Sequence, residues 1–229
     1  MSKHLQRELE GLREQLVDQC TVVEQMIQLA VRALVEGRMD FAQRVIQSDD
    51  GVDLNDVKIE EECLKLLALH QPVAADMRWL ITVVKVNGEL ERMADTACNI
   101  AERAKAISEF SSFTVPEQMN EMVDVTIRMV RRALDAFVTH NAKMAVEVIK
   151  MDEAVDQQNR EIIQHLQELM KADVSLLEPG LHCFSASRLL ERIGDLAENL
   201  AEETIYLVEG EIVRHKHGVI GENAGDSNG

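Results

Sequence analysis

Apolar residues recur at three- and four-residue intervals along the start of the chain, at Leu5, Leu9, Leu12, Leu16, Val23, Ile27, Ala30 and Leu34. That alternation marks a helix with one buried face, and it predicts a first helix from Lys3 to Glu36, closed by Gly37. Asp40 is placed to cap a second helix running towards His70. Pro72 then stops that helix and opens a third reaching about Ala106. The segment ISEFSSFTVPEQ reads as a loop, with a capping-box pattern of Thr114 and Glu117 around Pro116. Three more helices are predicted at about 115–139, 141–171 and 176–214, the last with a capping pattern at Ser175 and Glu178. The tail, 215–229, is rich in Gly and Asn and reads as disordered and solvated, His215 and His217 included.

The two trios repeat one another. At an offset of 100, the span 91–102 matches 191–202 in Glu, Arg, Asp, Ala, Asn, Ala and Glu. Upstream, VIQSDDGVD matches VIKMDEAVD at an offset of 103, pairing Asp49 with Asp152 and Asp53 with Asp156. Repetition of a whole helical unit predicts an all-α fold of two tandem three-helix bundles, 1–109 and 110–214. Composition agrees, since aromatics are 3% of the chain with 3 Pro and 11 Gly, and the dominant residues lose little on entering a helix.

Charge narrows the partners. A net charge of −17 repels nucleic acid and anionic lipid over most of the surface, so cations or basic protein faces are the expected partners. No window is long and apolar enough to span a membrane, and the N-terminus lacks a signal-peptide core. The expectation is a cytoplasmic protein without direct membrane insertion. Cys20, Cys63, Cys98 and Cys183 are widely spaced with no CxxC, and read as reduced, core-filling thiols. Trp79, Phe41, Phe137 and Phe184, and Met26, Met93, Met129, Met144 and Met170, are assigned to the core. His70, His165 and His182 read as ending helices or packing beside them; His140 with Lys143 lies at a helix junction, unlike a mid-helix phosphotransfer histidine.

The repeated stretch carries the candidate chemistry. Glu91, Asp95, Asn99 and Glu102 fall within about 80° of helical arc, as do Glu191, Asp195, Asn199 and Glu202. Stacked like charges disfavour an isolated helix, yet the arrangement occurs twice. Counted from the hairpin apex near Gln71, Asp49/Asp53 and Glu91/Asp95 lie within roughly 3 Å of the same height, given about 1.5 Å per residue. Asp152/Asp156 and Glu191/Asp195 are level in the same way. Four carboxylates at one level repel unless protonated or bound to cations. Oxygen donors without imidazole or thiolate favour magnesium, manganese, calcium or ferric iron. The chain has no E-x-x-H, the motif of di-iron carboxylate oxidases. A solvated acidic face remains the alternative on the residues alone. Arg92 and Arg192 are expected to pair with neighbouring acids.

The chain resembles the PhoU family of bacterial phosphate-uptake regulators over about residues 5–212. The resemblance rests on PVAADMRWL followed by ELERMAD, on LLERIGDLAEN in the second copy, and on the paired Asp49/Asp53 and Asp152/Asp156. The second copy has LEPGLHCF in place of the D-L-R segment. The resemblance implies a non-enzymatic protein with multinuclear metal clusters, iron foremost, with magnesium, manganese, calcium or zinc as alternatives. The implied ligands are Asp49, Asp53, Glu91, Asp95 and Asn99, then Asp152, Asp156, Glu191, Asp195 and Asn199, with Glu102 and Glu202 as additions. It also implies partners: the ATPase subunit of the phosphate ABC transporter and a sensor histidine kinase held off when phosphate is plentiful. The expected assembly is a homodimer, peripheral at the inner membrane through those partners. The rival from another class is a metal-dependent hydrolase or oxidase using the same acids; a third reading is a metal-free helical scaffold.

Overall fold

A computed structural model describes residues 3–213; the predicted tail, with His215 and His217, lies outside the described residues. Seven α-helices follow in order: α1 Lys3–Glu36, α2 Met39–His70, α3 Ala74–Ser108, α4 Gln118–Val138, α5 Ala142–Ile149, α6 Asp152–Ala172 and α7 Leu177–Glu209. No strand occurs among the described residues. In the first repeat α1, α2 and α3 pack on one another; in the second α4, α5 and α6 pack on α7. The most extensive contact between helices, α3 against α7, joins the repeats, and α1 also touches α4.

The predicted apolar stripe closes the core: Leu12, Leu16, Val23, Ile27 and Ala30 of α1 are buried with Leu80, Val83, Leu90, Met93 and Ile100 of α3. Truncating one such Leu or Ile to Ala costs about 2–5 kcal/mol, because the site collapses only partly. Gly37, at φ +68, supplies the left-handed residue that ends α1. Polar locks set the register. Gln19, 2% exposed, donates to the Val52 carbonyl at 3.2 Å and accepts from Asn55 at 2.9 Å, tying α1 to α2. Between the repeats, Lys85 Nζ of α3 pairs with the buried Glu203 of α7 at 3.0 Å and lies over the Tyr206 ring.

Several expectations change. The predicted helix 141–171 is two helices, α5 and α6, parted at Lys150 and Met151. There the Met151 N–H bonds the Val148 carbonyl and Ala154 the Met151 carbonyl, a local tightening to three-residue steps that needs neither Gly nor Pro. The capping patterns also differ. Glu117 is itself helical in φ and ψ and α4 has no side-chain cap, so Thr114 has no extended capping residue to serve. Asp173, not Ser175, caps the 3₁₀ turn Val174–Leu176 leading into α7, accepting from the Ser175 N–H at 2.9 Å. Asp40 sits inside the first turn of α2, paired with Arg38 at 2.8 Å. Trp79, Phe41 and Phe137 are buried, whereas Phe184 is 36% exposed beside exposed Leu177 and Leu181. Met144 and Met170 are only half-buried at the core's edge.

Candidate functional site

Antiparallel α2 and α3 carry the first set of acids. One carboxylate oxygen each of Asp49, Asp53 and Asp95 lies within 4.8 Å of the others, with Asp49 half-buried and the other two exposed. Glu91 adjoins them: its pKa is raised by burial, then by Asp95, Asp56 and Asp53. Asp49 is raised by burial, in part offset by the adjacent Cys98 thiol, and further raised by Asp53, Asp95 and Asp50. Its Oδ1 is buried with no hydrogen-bond partner. A buried carboxylate oxygen left without a donor costs free energy, and a cation would satisfy it.

The second set stands on α6 and α7. Asp152 is pushed up to about 6 by burial first and then by Asp156, Asp195 and Glu191; Asp195 is raised by burial and by Glu191 and Asp156, against the opposing charges of Arg188 and Arg192. The Asp152 Oδ1 is likewise buried and without a partner. Equivalent residues of the two repeats thus carry the same orphaned atom. The close three-carboxylate gathering, however, occurs among the described residues only in the first repeat. Here Arg188 holds Glu191 at 2.5 Å and Arg160 approaches Asp156 at 3.7 Å. The first repeat has Gly88 and Val57 at those positions.

The remaining expected ligands divide. Asn99 is exposed one turn beyond Asp95 and donates to the Asp95 carbonyl at 2.8 Å. Asn199 turns towards the other repeat, its Nδ2 3.5 Å from Glu89 Oε2. Glu102 is exposed and acts on the Cys98 thiol, while Glu202 is buried at 6% exposure; neither is among the acids named above as raising Asp49, Asp152 or Asp195. Arg92 pairs with Glu89 at 2.8 Å as expected, but Arg192 forms no ion pair among the described residues. Two residues at the first site were not anticipated. Asp56 is raised by burial, Glu60 and Asp53, and is held by Asn87 Nδ2 at 2.6 Å. Cys98, unlike the buried Cys20, Cys63 and Cys183, is half-buried. Its thiol donates to the Val45 carbonyl at 3.7 Å, and its pKa is pushed up by burial and by the adjacent Asp49. The signal for Asp56 was Asn87, a polar residue on the apolar face of α3.

The donors at both sites are almost all oxygen, and each site holds one atom lacking a partner; this set fits hard cations. Comparison with known proteins gives the family. A model of the PhoU domain matches residues 16–104 and again 119–204. The chain belongs to the PhoU family. It is 36% identical over 211 residues to a phosphate-specific transport system accessory protein PhoU homolog of Aquifex aeolicus, covering 92% of this chain and 96% of that one. It is 33% identical over 224 residues to the Escherichia coli protein PhoU, covering 95% and 92%. The crystal structure of PhoU from Pseudomonas aeruginosa superposes with a TM-score of 0.86 at 35% identity, over 90% of this chain and 99% of that one. PhoU from Streptococcus pneumoniae, a phosphate transport system regulatory protein, gives 0.84 at 27% identity, over 91% and 99%. The two matches fall one in each repeat.

Proposed function

We propose that this protein is a non-enzymatic, metal-binding regulator of phosphate uptake, an adaptor between the ATPase subunit of a phosphate transporter and a sensor histidine kinase that it holds off when phosphate is plentiful. The observation that carries the metal-binding part is the orphaned buried oxygen at equivalent positions, Asp49 and Asp152, each facing further carboxylates. The regulatory part rests on relatives named as accessory proteins of phosphate-specific transport that match nearly end to end. No described helix is long and apolar enough to cross a membrane, which suits a protein reaching the transporter by contact.

Asp49, Asp53, Glu91, Asp95 and Asn99 would hold one cluster, and Asp152, Asp156, Glu191, Asp195 and Asn199 the other. When bound, hard cations, iron foremost, supply positive charge that cancels repulsion among the acids. The chain's own residues then hold the shape. The acids of the first site tie α2 to α3 and those of the second tie α6 to α7, while α3 against α7 keeps the repeats in register. Partner recognition would read that shape.

Two experiments test the reading. Deleting the gene should switch on a phosphate-starvation reporter in phosphate-rich medium; an unchanged reporter contradicts the regulatory role. Purified protein should carry stoichiometric metal and turn over neither phosphate esters nor oxygen. Turnover abolished by Asp95→Ala would replace this reading with the hydrolase or oxidase.

A further inference from the structure

The repeated stretch retains an arginine after the glutamate, Arg92 in one copy and Arg192 in the other, whose charges oppose the raised pKa of Glu91 and Asp195 respectively. Both arginines are exposed. Helices α3 and α7 pack so that Lys85 meets Glu203 and Glu89 faces Asn199, an antiparallel register. Two residues on opposite repeats are thereby drawn to one place. Arg92 and Arg192 line a single cleft of about 200 Å³, together with Asp95, Thr96, Asn99 and Leu189.

The two guanidiniums are differently committed. Arg92 Nη1 donates to Glu89 Oε1 at 2.8 Å, and Glu89 is itself only 7% exposed, so the side chain is oriented while part of its fork remains open. The Arg192 side chain enters no ion pair within 4.0 Å among the described residues, though its charge opposes the burial-driven rise in the pKa of the neighbouring Asp195. Thr96 Oγ1 is spent on the Arg92 carbonyl at 2.6 Å and Asn99 Nδ2 on the Asp95 carbonyl at 2.8 Å. Donors in the cleft are therefore chiefly the two forks, whose planar geometry matches an oxyanion. We propose that the cleft between Arg92 and Arg192 binds a tetrahedral oxyanion of the phosphate class, free inorganic phosphate being the smallest. Asp95 forms one wall and repels such an anion until its charge is neutralised. A cation on the first cluster would do so, which makes cation and anion binding mutually favourable. That coupling rests on the metal-binding reading above; the arginine pair does not.

Equilibrium dialysis with radiolabelled inorganic phosphate tests the proposal on the full chain, as wild type with manganese, wild type with chelator, Asp95→Asn, Arg92→Gln, Arg192→Gln and Arg192→Lys. Thermal melts confirm that each variant is folded. The expected result is one phosphate per chain on manganese-loaded wild type and weaker binding after chelation. Each arginine-to-glutamine change should weaken binding roughly tenfold or more, with partial rescue by lysine, since a charge-assisted pair to the anion is lost. Asp95→Asn removes the repelling charge without a metal and should bind phosphate whether or not manganese is present. If manganese fails to load but Asp95→Asn binds phosphate, the metal reading falls and the cleft stands. Absence of binding to both wild type and Asp95→Asn overturns the proposal. So does binding that survives both arginine substitutions, because the anion would then sit on bound cations alone.

Discussion

In the first repeat, Asp49, Asp53 and Asp95 converge within 4.8 Å with Glu91 and Asp56 close by. In the second, Glu191 and Asp156 are drawn towards Arg188 and Arg160, while Asp152 sits deeper and is raised to about 6. The acids are the same in kind and spacing; the counter-charge is not, because Gly88 and Val57 stand where the second repeat has arginines. Built-in cations compete with a metal for the carboxylates, and a carboxyl that holds its proton is a poor ligand. The two repeats thus share the candidate ligands and differ in what opposes them. The first site is expected to be the tighter one.

Removing the cations should have the largest effect. Binding to the folded state alone adds about 2.7 kcal/mol at a hundredfold excess over Kd for one site, or roughly 5–10 °C in Tm for a chain of this size. Melts followed by circular dichroism, with and without chelator, should show that drop with helicity intact, since the apolar seams remain. An unchanged Tm would reduce both acidic sets to solvated faces.

Next in size is the division between the sites. Asp95→Asn should abolish the larger share of the chelator-sensitive Tm shift and Asp195→Asn the smaller. Each should lower the metal content measured by elemental analysis. Equal losses would erase the proposed difference between the repeats.

Exchanging the counter-charge should move affinities by a smaller amount. Exposed ion pairs contribute about 0.2–1 kcal/mol each, so Arg160→Gln with Arg188→Gln should tighten manganese at the second site by about twofold to thirtyfold. Gly88→Arg should weaken the first site; a Cβ there has as its nearest neighbour Arg92 Nη2 at 3.7 Å, so a side chain fits. Titration calorimetry reads both changes, and an effect of opposite sign would break the argument.

The smallest expected effect is on pH dependence. Asp152 has a folded pKa near 6, above its ordinary 3.8, so the folded metal-free protein binds this proton more tightly than the unfolded chain. Its stability therefore rises as pH falls from about 6 towards 4. Half-exposure tempers the gain to a degree or two in Tm. Metal-loaded protein should move the other way over the same window as the ligands protonate. Asp152→Asn should flatten the metal-free trend.

Much of this was legible in the sequence. The alternation from Leu5 to Leu34 and the doubled motif placed the helices, and similar distances from the hairpin apex near Gln71 placed Asp49/Asp53 opposite Glu91/Asp95. The break at Lys150 was hidden because hydrogen bonds shortened by one residue leave the apolar face of α5 and α6 unbroken. Thr114 and Ser175 misled because a capping pattern specifies donors and acceptors but not the φ and ψ that the chain adopts. Identities between the copies pointed to the candidate ligands, while the differences, Arg188 opposite Gly88 and Arg160 opposite Val57, pointed to how the two acidic sets diverge. Asn199 and Glu202 lay beyond reach of such matching, because their surroundings are set by α3 packing on α7.

The most direct measurement is a manganese titration followed by electron paramagnetic resonance on wild type, Asp95→Asn and Asp195→Asn at pH 7. Two classes of site should appear in wild type, the tighter missing from Asp95→Asn and the weaker from Asp195→Asn. No bound manganese, or identical isotherms in all three proteins, would contradict the account.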